Sequence, residues 1–195
     1  MEPIRAMFGP ADIVLNKGDG EREIAFDGIQ NMQFEGGELT LEPQYADITS
    51  IDTGGGNYDN YFTHYEGTLT ISGFEDSLEN FRLALGGVQE IVNDDGEVIG
   101  YSDAPVGASN RERANTVDIA PRYLMGDTGT EHIHIYKAAS TAAYNRSYNL
   151  EQGSVSIEMA IYPKDGAKPT DGDNFFRRGK PEAMPWYEAE TSPES

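Results

Sequence analysis

The chain has 195 residues with 37% hydrophobic residues, and 34 acidic residues against 14 Lys and Arg give it a formal charge of -20. This charge repels phosphate and excludes nucleic-acid binding through phosphate contacts. The absence of cysteine excludes disulfides and thiolate chemistry. Since neither a secretory signal nor a membrane-length apolar run is present, we expect a soluble protein made in the cytoplasm.

Short apolar runs bounded by turn residues predict strands at residues 12–16, 24–26 and 32–34. From Glu38 the pattern alternates, with Leu39 and Leu41 facing inward and the charged residues outward. Pro43 cannot donate to a ladder, so it predicts a bulge or an edge position before the strand resumes over 45–51 with Asp47 exposed.

A glycine-rich segment, residues 52–60, joins two long strands and predicts a flexible loop. A loose surface loop and a loop that contacts another subunit both fit this composition. The candidate subunit-contact residues are Asp52, Gly54, Gly55, Gly56, Asn57, Tyr58, Asp59 and Asn60.

Residues 61–72 alternate like a strand with one buried and one wet face, and the period then changes to that of a helix over about 74–85. Ser72 and Glu75 have the spacing of a capping box, and Gly86-Gly87 predict the helix end. The predicted apolar stripe consists of Phe74, Leu78, Phe81 and Leu85.

Further strands are predicted at 88–92 and 97–101 around a turn at 93–96, at 117–124, 131–137, 147–150 and 154–162. In the last of these, Val155, Ile157, Met159 and Ile161 should face the core. Residues 138–143 fit helix or loop equally well. From residue 164 onward four of the ten prolines, many charges and no periodicity predict an extended C-terminal arm over 164–195, after a domain of residues 1–163. Its candidate contact residues are Phe175, Phe176, Arg177, Arg178 and Trp186.

Residue patterns for catalysis or metal binding are weak. His132 and His134 are spaced like metal ligands on one strand face, but two partly exposed strand histidines are the better interpretation. Residues 93–97 resemble a fragment of a calcium loop and fit a hairpin turn better. Nothing places Glu66 and Glu158 together as a carboxylate pair, and no nucleophile or phosphate-loop motif occurs. We therefore predict a protein that is not an enzyme and needs no metal or cofactor.

The element order resembles the tail tube (major tail) proteins of long-tailed bacteriophages: two long two-faced strands, a glycine-rich loop between them, a short helix, then strands ending in 154–163. The resemblance covers about residues 11–163 and is closest in 38–87 and 155–166. It implies a mainly β fold, a β-sandwich or half-barrel with one flanking short helix, a long inter-strand loop and an extended tail. It also implies six-fold rings that stack into a hollow tube in the virion, with tail-tip, terminator and tape-measure proteins as partners.

In such a tube the charge has a physical use, because six copies at -20 carry 120 formal negative charges per ring. An acidic wall keeps DNA passing through the lumen from binding to it. The candidate lumen-facing acids, on the wet faces of the strands, are Glu38, Glu42, Asp47, Glu66 and Glu158.

Two other classes compete with a tube subunit. A monomeric carbohydrate-binding β-sandwich would use exposed Tyr58, Tyr61 and Tyr65. A small β-fold hydrolase or metal-dependent protein is disfavoured by the missing motifs.

Overall fold

Alternating apolar residues form a mainly antiparallel β structure in the computed structural model, which describes residues 10–73, 77–122, 130–146 and 154–187. A mainly β fold with one flanking α-helix agrees with the sequence prediction. The elements are β1 (Ala11–Leu15), β2 (Ile24–Phe26), β3 (Gln33–Thr49), β4 (Asn57–Gly73), α1 (Leu78–Ala84), β5 (Val88–Val92), β6 (Val98–Asp103), β7 (Asn115–Pro121), β8 (His132–Ser140), β9 (Val155–Tyr162) and β10 (Phe176–Gly179).

One curled sheet carries most of these strands, in the order β2-β1-β7-β8-β9-β4-β3, and β10 pairs with β8 where β9 no longer does. The two ends of the sheet approach each other, since Gln33 Nε2 donates to Ala11 O at 2.8 Å and to Phe26 O at 2.5 Å. Gly37 allows this approach, because a Cβ there would lie 2.6 Å from Ile13 Cδ1. The sheet is therefore a half-barrel, and β5 and β6 form a separate hairpin.

The core fills the concave side of the half-barrel. Every second residue of β9 is buried there, as the alternation predicted. The helix contributes Leu83 and Ala84 to the same core. The largest fully buried apolar side chains are Phe26, Ile13, Leu15, Leu69, Ile71, Ile135, Ile157, Met159, Met184 and Val117.

The helix differs from its prediction in start and in buried face. It begins at Leu78, and the side chain of Ser77, rather than Ser72, accepts the N–H of Asn80 at 3.0 Å. Ser72 belongs to β4, because residues up to Gly73 pair with β9. Phe74 and Glu75 lie outside the described residues. The predicted stripe is wrong: Leu78 is 51% exposed, whereas the helix buries Asn80, Leu83 and Ala84.

The glycine-rich connection is also shorter than predicted, because residues 57–60 belong to β4. The chain turns through a 3₁₀ segment, Ile51–Thr53, and through Gly54 and Gly55 at φ +78° and +79°. Pro43 lies, as predicted, in the edge strand β3, next to a bulge between Gln44 and Tyr45.

The later strands agree with the sequence prediction in position and differ in length. The β5–β6 hairpin turns at Gly96 with φ +84°. Strand β8 runs on to Ser140, so the undecided segment begins as strand, and β7 ends at Pro121. Residues 123–124 and 147–150 of two predicted strands lie outside the described residues.

Residues 164–187 correct the prediction of an extended arm, because they fold back on the chain's own sheet. Strand β10 pairs with β8, and Pro181 and Met184 are buried. Apolar residues spaced irregularly around a turn bury surface without any periodic pattern, which is why no strand or helix was predicted here. We call residues 164–187 the C-terminal segment.

Candidate assembly surfaces

The β3–β4 hairpin projects beyond the rest of the sheet. Strand β9 pairs with β4 only from Thr68 to Gly73. In the described chain, residues 57–67 of β4 therefore pair with no strand other than β3. At about 3.3 Å per residue this overhang is about 35 Å long. Among the described strands, β3 is the last in the sheet order and therefore an edge strand. We call residues 43–65 the hairpin arm; its strands present unpaired backbone groups on both sides, which is a template for pairing with another chain.

Four of the five candidate lumen acids lie on one face of this region. Glu38 pairs with Thr70, and Thr70 in turn pairs with Glu158, so the three stand side by side across β3, β4 and β9. Glu42 lies directly opposite Glu66. All four glutamates are exposed, and we call them the glutamate face. Like charges directly opposite each other on a sheet destabilise it, so this face does not serve folding.

Asp47, the fifth candidate, lies on the other face, because it is five residues from Glu42 along β3 and successive side chains of a strand alternate between faces. Gln44 pairs with His64 and Tyr45 with Phe62, which leaves Thr63 unpaired and shifts the alternation of β4, so that Phe62 joins Tyr45 on the core side. The Phe62 ring is 4.9 Å from that of Tyr65, on the core side of β4. Asp47, two residues beyond Tyr45 in β3, lies on the same side of the arm. Its Oδ1 accepts from the side-chain amides of Asn57 and Asn60, which holds the hairpin end together.

The core side of the hairpin arm is aromatic. A series of ring contacts runs from Tyr45 through Phe62 and Tyr65 to Phe175 and Phe176 of the C-terminal segment, with centroid distances of 4.9–6.2 Å. Exposed apolar side chains continue outward on both faces of the arm, since Ile48 and Tyr61 lie on the face opposite Tyr45 and Phe62. More than 40% exposed are Tyr45, Ile48, Ile51, Tyr58, Tyr61 and Phe62. A concentration of exposed apolar residues of this kind marks an interaction surface.

The candidate residues of the C-terminal arm mostly contact their own chain. Phe175 and Phe176 pack against the core. Arg177 Nε donates to Asp173 at 2.9 Å, and Trp186 Nε1 donates to Asp118 Oδ1 at 2.6 Å, with Lys17 Nζ over the indole ring. Arg178 is exposed.

His134 departs from the expectation of two partly exposed histidines. It is 5% exposed, and its Nδ1 lies 2.8 Å from Asp118 Oδ1, the atom to which Trp186 donates. The C-terminal segment covers this part of β7 and β8, which a strand pattern cannot reveal. The described residues contain no group of three potential metal ligands.

Two ionic clusters tie the C-terminal segment to the sheet. Asp173 has a pKa below its usual value: burial opposes this, but hydrogen bonds from Arg177, Tyr136 and Lys164 outweigh it. Burial, reinforced by the bond to Asp173, raises the pKa of Tyr136. In the second cluster, the hydrogen bond from Lys137 lowers the pKa of Asp165.

Neither a protein-family model nor a curated protein sequence matches the chain. In the part of the chain that the structure describes, the helices are too short or too polar to cross a membrane.

Proposed function

We propose that the chain is the subunit of a self-assembling tube, a virion tail tube whose six-fold rings stack and whose acidic lumen conducts DNA to the host cell. The observation that carries the proposal is the hairpin arm with its open strand edges and exposed apolar side chains. In an isolated chain such an arm leaves strand edges exposed, and exposed edges pair non-specifically with other chains. A closed assembly of several copies pairs these edges and buries these side chains.

The glutamate face supports an acidic lumen. It lies on the side of β3, β4 and β9 opposite the core, and threonine and serine fill the positions between the glutamates. A surface without cations gives DNA phosphates nothing to exchange for their counterions. Its four acids should line the channel, whereas Asp47, on the other side of the hairpin arm, should lie between subunits.

Electron microscopy of the purified chain across a salt series tests assembly. We expect rings or hollow tubes that become more abundant as salt screens the -20 charge. Ile51→Ser/Tyr58→Ser should lower assembly, whereas Val106→Ser, a change at an exposed apolar residue outside the hairpin arm, should not. A monodisperse monomer at every salt and protein concentration would contradict the proposal.

The lumen needs its own test. Particles built with the glutamate face changed to lysine should form tubes of normal length but deliver DNA poorly, because the new cations bind phosphate. Normal infectivity of these particles would refute the acidic lumen while leaving the tube intact.

The carbohydrate-binding alternative gains less support from the structure. Tyr65, one of its three tyrosines, packs against Phe175 and Phe176, whereas Tyr58 and Tyr61 stand on the projecting hairpin arm. These side chains do not form one platform. A monomer retained on immobilised glycans would nevertheless favour this alternative over the tube.

A further inference from the structure

The charges of the chain are divided between two surfaces of opposite sign. The hairpin arm contains Asp47, Asp52 and Asp59 and neither Lys nor Arg. Residues 164–180 contain five Lys and Arg against three Asp, a net +2, in a chain whose remainder therefore carries -22. We call residues 164–180 the basic segment. It offers the acidic arm a segment of net positive charge.

Two cations of the basic segment, Arg178 and Lys180, are exposed, and neither pairs with an acid among the described residues. Two other cations of the segment, Arg177 and Lys164, form ion pairs with Asp173 of the same segment. Asp52 and Asp59 of the arm are likewise exposed and pair with no cation in the described chain.

Within one chain, the arm and the basic segment are in ring contact at the base of the arm, where the Tyr65 ring lies 5.1 Å from that of Phe176. Asp59 is six residues farther out along β4, about 20 Å from Tyr65 at the rise of a β-strand. The charges of Asp59 and Arg178 are both exposed and form no ion pair with each other among the described residues, so they are available to a neighbouring copy.

From this division of charge we propose that the end of the hairpin arm of one copy docks on the basic segment of a neighbouring copy. Asp52 and Asp59 pair with Arg178 and Lys180, and Tyr58 packs on these cations. The chemistry is complementary in two ways, since carboxylates pair with cations and a tyrosine ring binds Arg or Lys over its face. Ile51 and Tyr58, 91% and 68% exposed, supply the apolar centre that such an interface needs.

Two different surfaces of the same chain then meet. When each copy uses these surfaces to bind two different neighbours, the contact is head-to-tail and generates closed rings or filaments, whereas two copies that dock reciprocally stop at a dimer. The inference rests on the proposed function and adds to it the pair of surfaces that join one subunit to the next.

Charge reversal at each surface gives a direct test. Arg178→Glu should raise the critical protein concentration for assembly about tenfold at about 0.15 M salt, because like charges then face each other. Arg22→Glu is the matched control: it changes an exposed arginine by the same charge, away from both surfaces, and should leave the critical concentration within about twofold of wild type. Unfolding temperatures of both variants should match wild type.

Mixing two variants gives the decisive result. Asp52→Lys/Asp59→Lys and Arg178→Glu/Lys180→Glu should each fail to assemble alone. A 1:1 mixture should assemble, because each arm meets a basic or acidic segment of opposite charge on the other variant. If wild type assembles while Arg178→Glu behaves like Arg22→Glu, or if the mixture does not assemble, the docking contact is refuted and the tube proposal stands. A wild-type chain that never assembles would refute both.

Discussion

Asp118→Ala tests whether the C-terminal segment is held by a buried polar contact. Asp118 is 9% exposed, and its Oδ1 is the acceptor for Trp186 Nε1 at 2.6 Å and the partner of His134 Nδ1 at 2.8 Å. Truncation leaves two polar groups without their partner. A buried group in that state costs about 1–3 kcal/mol. Trp186 is only half-buried and can regain water, so we expect a total loss of about 2–4 kcal/mol in the free energy of unfolding.

The assay uses the fact that Trp186 is the only tryptophan in the chain. Urea unfolding followed by circular dichroism gives the stability, and fluorescence reports the surroundings of the indole. Asp118→Ala should shift the emission to the red before global unfolding, because the segment detaches. Asp118→Asn retains an acceptor oxygen but not the charge, so its free energy of unfolding should fall by less, about 1–2 kcal/mol.

Asp103→Ala is the matched control, since Asp103 is exposed at the end of β6, and its stability should stay within about 0.5 kcal/mol of wild type. If Asp118→Ala also stays within that range and its emission is unchanged, the contact does not hold the segment and the reasoning fails.

Three further predictions concern stability. Gly86→Ala should lower the free energy of unfolding by about 1–3 kcal/mol, because the new Cβ would lie against the backbone oxygen of Ser140. An unchanged midpoint of thermal or urea unfolding would contradict this packing. Glu42→Gln should stabilise the fold by about 0.2–1 kcal/mol by removing a like charge opposite Glu66, and a loss of stability would argue against that pairing. Asp173→Asn should be less stable than wild type at neutral pH. Since the pKa of Asp173 is lowered in the folded state, its contribution is complete above its unfolded pKa of 3.8 and disappears as pH falls through the folded value, so the difference should vanish in acid. A difference that persists at about pH 2 would refute this linkage.

Local patterns predicted the parts of the fold in which every signal lies within a few residues. Strand β9 alternates buried and exposed side chains as expected, and the β5–β6 hairpin turns at the predicted glycine. The glutamate face was likewise predicted, because its acids occupy outward-facing positions in strands whose residues alternate between apolar and polar. These features depend on strand period and turn chemistry, which are properties of short stretches of sequence.

The charge of -20 and the absence of cysteine follow from composition, so the sequence alone determined them. Tertiary structure decided the rest, because it depends on residues far apart in the chain. A bulge at Thr63 of β4 moves Phe62 to the core side of the hairpin arm, although simple alternation from His64 and Glu66 places it with the glutamates. Pairing with β9 extends β4 to Gly73, ahead of the helix start at Leu78. Asp118, His134 and Trp186 meet only when the C-terminal segment folds over β7 and β8, since strand register and burial are set by partners that no local period records.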